Sequence, residues 1–243
     1  MTIAPSPITL VTGANRSIGL QVVRDLSRLG HTVLLGARDP GRGAEAVTQL
    51  ADEGINVDVV HIDLDSPQTH EAAAASIALA YGRIDVLVNN AAVIDANDGP
   101  ATVMDIHGAR GVFETNVLGT LAVTRAMLPL LRQSAGARII NLSSALGSIG
   151  DAIDRDSEFS DVRLAGYAMS KAALNMLTVQ LAVELEPEGI SVNAVDPGFT
   201  ATDMNRHQGY QSLQQGAAEA VRLATAPVIP TGGFFATGRV LPW

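Results

Sequence analysis

Residues 8–19 read Ile8-Thr-Leu-Val-Thr-Gly13-Ala-Asn-Arg-Ser-Ile-Gly19, and this stretch decides the fold. Its first half is rich in apolar and β-branched residues, which is typical of a buried strand. Residues 20–29 then have the apolar spacing of a helix, which ends at Gly30. A glycine loop between a strand and a helix exposes the amides of the first helical turn, which suit a pyrophosphate. A tight turn without a ligand is the alternative, because a lone glycine loop is a weak signal.

The same alternation of strands and helices continues along the chain. Short β-rich runs predict further strands at residues 32–35, 57–62, 84–88, 138–143, 190–195 and 234–236. Helical spacing predicts helices at residues 44–53, 67–81, 109–134 and 167–186, and residues 203–226 are predicted to be mobile. Strands joined by right-handed helical crossovers form a parallel sheet with helices on both faces. We therefore expect an α/β protein with a doubly wound parallel sheet of about seven strands, in a single domain covering residues 1–243.

Composition limits the classes of protein to which this chain can belong. Its 243 residues are 47% hydrophobic and 17% charged, without an apolar run near the length of about 18 residues that a membrane span needs. The first ten residues have neither the basic start nor the apolar run of a secretory signal. We therefore expect a globular protein of the cytoplasm.

The charge and the inventory of side chains exclude several kinds of site. The chain has no cysteine, which excludes disulfides, thiolate catalysis and cysteine-ligated metal. Its five histidines lack metal-binding spacing, so no metal is expected. A formal net charge of −9 opposes general binding to nucleic acid or to anionic membranes. Any anion site must therefore be local.

Tyr167 and Lys171 lie four residues apart in a predicted helix. Residues at this spacing share one face, with about 6 Å between their Cβ atoms. An ammonium group beside a phenol lowers the phenol pKa from its usual value of about 10, so such a pair can transfer a proton near neutral pH. Taken alone, the pair is more typical of an ordinary half-exposed helix face.

The glycine loop, Thr12-Gly13-x-x-x-Ser17-x-Gly19, resembles the Thr-Gly-x-x-x-Gly-x-Gly loop of the short-chain dehydrogenase/reductase family. Further motifs follow at family spacing, and these are Asp63, Asn89-Asn90-Ala91-Ala92, Asn116, Ser144, Tyr167-x-x-x-Lys171, and Pro197-Gly198 with Thr202. The resemblance covers nearly the whole chain. The segments most similar to the carbonyl reductase branch are Gly13-Ala-Asn-Arg16, Ala37-Arg38-Asp39 and Arg42-Gly43. The resemblance to the family implies a Rossmann-type fold. It places the cofactor site in the N-terminal half and the catalytic and substrate loops in the C-terminal half.

Three departures from the family pattern bear on binding and assembly. Ser17 replaces the second glycine, where the backbone approaches the cofactor, so its hydroxyl is either tolerated or bonds the phosphate. Ala92 replaces the last glycine of Asn-Asn-Ala-Gly, which is a milder change. Residues 231–243 differ from the commoner family ending, which puts the tetramer contacts of the family in question.

Association is expected from the same resemblance. Many relatives pair through the long helix that holds Asn116 and through the helix that holds Tyr167. We therefore expect a homo-oligomer, with a dimer favoured. Apolar residues on these two helices that either pair with a second copy or face the sheet are Leu121, Leu128, Leu174, Leu177 and Leu181.

Reduction of a carbonyl needs a hydride from the nicotinamide and a proton for the developing alkoxide. The resemblance assigns the proton to Tyr167 and the carbonyl oxygen to Ser144, whereas Ser143 packs against the sheet. It implies that Lys171 lowers the pKa of the tyrosine and binds the nicotinamide ribose. It also implies that Asn116 fixes a water molecule that links Lys171 to solvent.

The resemblance further implies a set of cofactor contacts. They are Gly13, Asn15, Arg16, Ser17, Ile18, Gly19, Arg38, Asp63, Leu64, Asn90, Ala91, Tyr167, Lys171, Pro197, Gly198, Thr200 and Thr202. Within this set, Asp63 and Leu64 lie at the adenine, Asn90 lies on the ribose side, and the two threonines lie near the nicotinamide amide or the phosphates. A helix cap or a loop hydrogen bond is the alternative for Asp63 and for both threonines.

Cofactor choice depends on the end of the second strand. An NAD enzyme usually has a carboxylate there, which binds both ribose hydroxyls and repels a 2′-phosphate. Ala37 stands at that position, followed by Arg38, with Arg42 close behind and Arg16 in the glycine loop. Guanidinium groups suit a phosphate, so NADPH, or NADP+ in the oxidised form, is the expected cofactor. In the alternative, Arg38 is solvated and Asp39 binds the ribose hydroxyls of NAD.

The leading hypothesis is thus an NADPH-dependent reductase of a small ketone or aldehyde, in which Tyr167 acts as general acid and base. One rival is a regulator that binds the nicotinamide without turnover, and another is a reductase of a carrier-bound 3-ketoacyl substrate. Acidic Glu184, Glu186 and Glu188 oppose docking of an acidic carrier. The pattern leaves the carbonyl substrate open. An acidic loop, for which solvation is favoured over substrate binding, contains Asp151, Asp154, Asp156 and Glu158.

Overall fold

The computed structural model describes residues 6–157 and 159–243. The strands are β1 (Ile8–Val11), β2 (Thr32–Ala37), β3 (Asp58–His61), β4 (Val86–Asn89), β5 (Arg138–Leu142), β6 (Ser191–Val195), β7 (Phe234–Ala236) and β8 (Arg239–Val240). The helices are α1 (Ser17–Arg28), α2 (Pro40–Asp52), α3 (Pro67–Tyr81), α4 (Ile106–Phe113), α5 (Thr120–Leu131), α6 (Ile149–Ile153), α7 (Ala165–Leu185) and α8 (Leu213–Thr225). Two parts of the sequence lie outside the described residues. They are residues 1–5, which belong to the stretch predicted to lack a secretory signal, and Glu158, which belongs to the acidic loop.

The described strands form one sheet in the order β3-β2-β1-β4-β5-β6-β7-β8. Strands β1 to β7 run parallel, and β8 pairs antiparallel with β7. The predicted doubly wound parallel sheet is therefore confirmed, with one short strand added at its edge. Because β1 lies between β2 and β4, the strand order reverses there. Ligands of such sheets bind beyond the carboxyl ends of the strands at this point.

Helices cover both faces of the sheet. Helices α1, α2 and α8 pack on one face through buried residues such as Leu26 and Leu223. Helices α3, α5 and α7 pack on the other face through residues such as Met127 and Leu181. Because both faces are covered, all four residues of β1 are buried. This double burial is the reason that the strands read as continuous apolar runs in the sequence.

Helix α8 corrects the prediction of a mobile segment up to residue 226. Ser212 caps its first turn by accepting a hydrogen bond from Gln215 N, and the Gln215 side chain bonds back to Ser212 N. The face packed with α1 carries Ala217 and Ala220, which are fully buried. Alanine adds little apolar signal to a sequence pattern, although it allows two helices to approach closely.

The long helix predicted at residues 109–134 is interrupted. A π-helical segment, Glu114–Gly119, joins α4 to α5 and contains Asn116. Such segments are uncommon and often occur at functional sites. The interruption is consistent with the bonds of the Asn116 side chain to a neighbouring loop, described below. None of the described helices has both the length and the apolar character needed to cross a membrane.

Candidate active site

The glycine loop packs closely against the end of β4. Two of its positions, Gly13 and Gly19, have no room for a side chain. Gly13 has φ of +61°, and a Cβ there would lie 2.8 Å from the Cα of Ala91. A Cβ on Gly19 would collide with the side-chain nitrogen, Nδ2, of Asn90. That nitrogen donates to Thr12 O at 2.8 Å and to Gly13 O at 3.0 Å. Asn90 therefore holds the glycine loop, a role that its predicted place beside a ribose did not include.

A cavity of about 350 Å³ opens beyond the carboxyl ends of the strands. All the predicted cofactor residues line it, and so does Ser144. These residues are Gly13, Asn15, Arg16, Ser17, Ile18, Gly19, Arg38, Asp63, Leu64, Asn90, Ala91, Tyr167, Lys171, Pro197, Gly198, Thr200 and Thr202. The fold thus brings the predicted contacts into one cleft, and their roles toward a cofactor stay predictions.

Two of these residues already have partners inside their own loops. A carboxylate oxygen of Asp63 accepts a hydrogen bond from Asp65 N at 3.2 Å. Thr200 Oγ1 donates to Pro197 O at 2.9 Å, and only 3% of the residue is exposed. These bonds match the loop-residue alternative for both side chains. Because both also line the cavity, either can still face a ligand.

Lys171 is held by the end of β5. Its Nζ donates to Leu142 O at 2.7 Å and lies 5.5 Å from the centroid of the Tyr167 ring. Only 2% of the residue is exposed. Burial lowers the pKa of Lys171 to about 8, against the opposing effect of the Asp196 carboxylate.

The pKa of Tyr167 is raised, in contrast to the lowering predicted from Lys171. Burial of the phenol is the main cause, and the nearby negative charge of Asp196 adds to it. The prediction considered only the ammonium group four residues away, whereas the side chains packed around the phenol also disfavour its charged form. Tyr167 therefore keeps its proton at neutral pH, as a proton donor must.

The two serines at the end of β5 have different surroundings. Ser143 is buried, and its Oγ donates to the side-chain oxygen of Asn175 at 2.5 Å. Ser144 Oγ accepts a hydrogen bond from Leu146 N at 3.2 Å, and Ser144 lines the cavity with Tyr167. This bond leaves the hydroxyl hydrogen of Ser144 available for a ligand oxygen.

Asn116 lies behind the cavity wall and is 1% exposed. Its Oδ1 accepts from Val93 N at 2.8 Å, and its Nδ2 donates to Val93 O at 2.9 Å and to Ser170 Oγ at 3.1 Å. Ser170 Oγ in turn donates to Tyr167 O at 2.7 Å. Asn116 thus connects the loop after β4 to the helix of Tyr167, and its water-fixing role stays a prediction.

The structure places the arginines predicted to select the cofactor at the cavity. Arg16, Arg38 and Arg42 all line it. Asp39 caps α2 by accepting a hydrogen bond from Arg42 N at 3.0 Å, and this bond is the main cause of its lowered pKa. The Asp39 carboxylate thus caps a helix and also lines the cavity, and the choice between NADP and NAD stays a prediction.

Asp203 and Asp196 line the cavity without having been predicted as site residues. Asp203 accepts a hydrogen bond from Ser17 Oγ at 3.1 Å and lies 3.4 Å from Arg16 Nη1 and 3.1 Å from His207 Nε2. Asp196 is 6% exposed and accepts a bond from Ala145 N at 3.1 Å. The position of Asp196, directly before the Pro197-Gly198 motif, was the available signal for it.

Ser17 has φ of +50°, which is the left-handed conformation that glycine adopts without strain. We expect the Ser17→Gly variant to bind NADPH at least as tightly as the wild type in a fluorescence titration. The hydroxyl bonds Asp203 at an exposed position, so its loss is of little consequence, and glycine removes a backbone cost of about 1 kcal/mol. Ser17→Ala is the matched control, since it removes the hydroxyl and keeps the strain. A threefold or greater loss of affinity in Ser17→Gly would contradict this expectation.

Comparison with known proteins agrees with the fold. A family model described as short chain dehydrogenase matches residues 7–212. Short-chain dehydrogenase anuI of Penicillium roqueforti (strain FM164) is 38% identical over 231 residues, which cover 93% of this chain and 91% of that protein. Carbonyl reductase (NADPH) 3 of Rattus norvegicus is 33% identical over 258 residues, which cover 91% of this chain and 92% of that protein.

Similarity extends to solved structures. The structure of NADPH-bound carbonyl reductase from chicken fatty liver matches with a TM-score of 0.86 at 30% identity, covering 99% of this chain and 100% of that one. The salutaridine reductase of Papaver somniferum matches with a TM-score of 0.82 at 28% identity, covering 94% of this chain and 99% of that one. Together with the family model, these similarities show that the chain belongs to the short-chain dehydrogenase family, with carbonyl reductases among its relatives.

Proposed function

We propose that this protein is an NADPH-dependent oxidoreductase that reduces a ketone or an aldehyde to an alcohol. The observation that carries the proposal is that Tyr167, Lys171 and Ser144 line the same cavity as the glycine loop. The chain acts in this proposal as one domain. Its N-terminal half holds the cofactor, and its C-terminal half supplies the proton donor and the substrate loops.

The residues of the cavity fit NADPH. Gly13 and Gly19 let the glycine loop pack against the end of β4, and the amino terminus of α1 suits the pyrophosphate. Arg38 and Arg42 also line the cavity and offer guanidinium groups for a 2′-phosphate. Lys171 would bind the nicotinamide ribose. When bound, NADPH supplies the hydride.

The protein itself supplies the proton and holds the carbonyl oxygen. Tyr167 is protonated at neutral pH, as an ordinary phenol already is, so it can donate to the oxygen as negative charge develops there. Ser144 donates its free hydroxyl hydrogen to the same oxygen. Lys171 places a positive charge beside the tyrosine ring, which stabilises the phenolate left by proton transfer.

Several apolar side chains line the cavity. Leu146, Leu164, Phe199 and Met204 line it, and Phe199 packs edge-to-face with Tyr210 at 5.9 Å between ring centroids. Apolar walls with a few polar groups suit an apolar ketone. Among the described residues of the acidic loop, Asp151, Asp154 and Asp156 do not line the cavity, which supports a solvated loop.

A panel of carbonyl compounds with NADPH tests the proposal. We expect aryl ketones, ketoesters or quinones to be reduced, measured by loss of nicotinamide absorbance, and sugars to be poor substrates. NADPH binding without turnover of any member would instead favour a nicotinamide-binding regulator. Turnover only of a carrier-bound 3-ketoacyl substrate would favour the other rival, against which the exposed Glu184 and Glu186 argue.

We infer that the protein forms a homodimer through the helices that hold Asn116 and Tyr167. Of the residues suggested for this contact, Leu174 and Leu181 are buried in the monomer and cannot supply it. The exposed large apolar residues on these elements are Leu118, Met169, Met176 and Val183. Light scattering at micromolar concentration should give a dimer mass, and Met176→Glu should lower it toward the monomer. A monomer mass for the wild type would refute the inference.

A cytoplasmic location stays a prediction.

A further inference from the structure

Helix α7 carries Tyr167 in its first turn, yet the residue before the helix provides no side-chain cap. Leu164 stands at that position. The first amides of a helix have no partner within the helix, so they need an acceptor from elsewhere. Asp98, in the loop between β4 and α4, supplies both of its carboxylate oxygens. Asp98 Oδ1 accepts from Gly166 N at 2.9 Å, and Oδ2 accepts from Tyr167 N at 2.8 Å.

The loop and the helix are closely fitted around this carboxylate. Ala165 N donates to Gly99 O at 3.0 Å, next to the Asp98 contacts. A Cβ on Gly166 would lie 3.2 Å from Asp98 Oδ1, so glycine lets the carboxylate approach the helix end. Asp98 Oδ1 also accepts from Gly99 N at 2.8 Å, which orients the carboxylate toward the helix.

The same loop is held at its other end by Asn116. Both backbone groups of Val93 bond the Asn116 side chain, and Asn116 reaches Tyr167 O through Ser170. The backbone nitrogen of Tyr167 is therefore bound by Asp98, and its backbone oxygen is bound by the Asn116 network. These bonds restrain the backbone of the proton donor from two sides.

We propose that Asp98 is a positioning residue that fixes the first turn of α7 and thereby the place of the Tyr167 hydroxyl. The inference rests on the proposed function of Tyr167 as proton donor. Charge-assisted bonds from a carboxylate to backbone amides are stronger than neutral ones, so their loss loosens this turn. A displacement of about 1 Å in a reacting group can reduce the rate about a hundredfold.

The test compares Asp98→Ala with Asp105→Ala in the full-length protein. Asp105 is a matched control, because its carboxylate caps α4 by accepting from His107 N at 3.0 Å and Gly108 N at 3.2 Å. We expect Asp98→Ala to lower kcat for a ketone at least tenfold while the Kd of NADPH changes less than twofold. Asp105→Ala should change kcat less than twofold.

Further measurements separate positioning from a general loss of stability. Assays are made well below the lower of the two Tm values, so that both variants are folded. Asp98→Asn keeps one acceptor oxygen at the same place, and its kcat should lie between those of the wild type and Asp98→Ala. Amide hydrogen exchange at Gly166 and Tyr167 should be faster in Asp98→Ala and unchanged in Asp105→Ala.

Equal kcat in the wild type and Asp98→Ala would overturn the proposal, and so would equal losses of kcat in both alanine variants. If the wild type reduced no carbonyl compound, the proposed function would fail by that result alone. Hydrogen exchange would still decide whether Asp98 holds the first turn of α7. Unchanged exchange at Gly166 and Tyr167 in Asp98→Ala would then overturn the inference, and faster exchange would support it.

Discussion

Replacement of Tyr167 by phenylalanine is expected to abolish turnover while the fold and NADPH binding remain. The variant loses only the phenolic hydroxyl, which is the proton donor of the proposed reaction. The bond from the Tyr167 backbone nitrogen to Asp98 does not involve the side chain, so the helix stays in place. The measurement is kcat with a ketone identified from the substrate panel, together with an NADPH titration and a thermal unfolding curve.

Tyr81→Phe is the control for this variant. The Tyr81 hydroxyl bonds the Asp58 carboxylate beside β3, and the residue does not line the cavity. We expect its kcat to lie within twofold of the wild type. If Tyr167→Phe retained more than a tenth of the wild-type kcat, the lost barrier stabilisation would be at most about 1.4 kcal/mol, too little for the only proton donor.

Wild-type protein is expected to prefer NADPH over NADH by at least about tenfold in kcat/KM, which corresponds to about 1.4 kcal/mol. Ala37 offers no carboxylate to bind the ribose hydroxyls, and Arg38 lines the cavity beside it. A charge-assisted bond from a guanidinium to a phosphate contributes roughly 1.5–3 kcal/mol. Asp39 accepts a hydrogen bond at the start of α2 and stands two positions beyond Ala37, where the ribose carboxylate of an NAD enzyme is usually found.

The double variant Ala37→Asp with Arg38→Leu should reverse this preference. Because Ala37 is fully buried, a thermal unfolding curve must show that the double variant is folded. Arg28→Leu is the control, since Arg28 pairs with Glu53 outside the cavity and its loss should not change the ratio of the two kcat/KM values. Equal efficiency of the wild type with both cofactors, or a double variant that still prefers NADPH, would remove the argument from these residues.

Local features of the sequence determined the elements of the fold. Helix α3 was predicted at residues 67–81, and these are its observed bounds. Pro67 suits a first turn because its missing N–H is not needed there, and Gly82 ends the helix with φ of +73°. Helix α8 was missed because its buried face consists largely of alanine and glycine, whose packing value depends on α1.

The sequence also indicated many of the residues that reach the cavity, because the carboxyl ends of parallel strands meet at one edge of a sheet. Motifs at strand ends must therefore meet whatever their distance along the chain. Ser143 and Ser144 were assigned different places by family spacing, and the structure places Ser143 against Asn175 and Ser144 at the cavity.

Only the tertiary structure decided which side chains support the site from behind. Asp98 is 69 positions from Tyr167, and Asp203 is 186 positions from Ser17, so no local pattern relates the two partners. The raised pKa of Tyr167 has the same origin, since burial depends on all the elements packed around the phenol. Hydrogen bonds between distant loops and the exclusion of water are properties of the assembled fold, whereas strand, turn and helix signals lie in neighbouring residues.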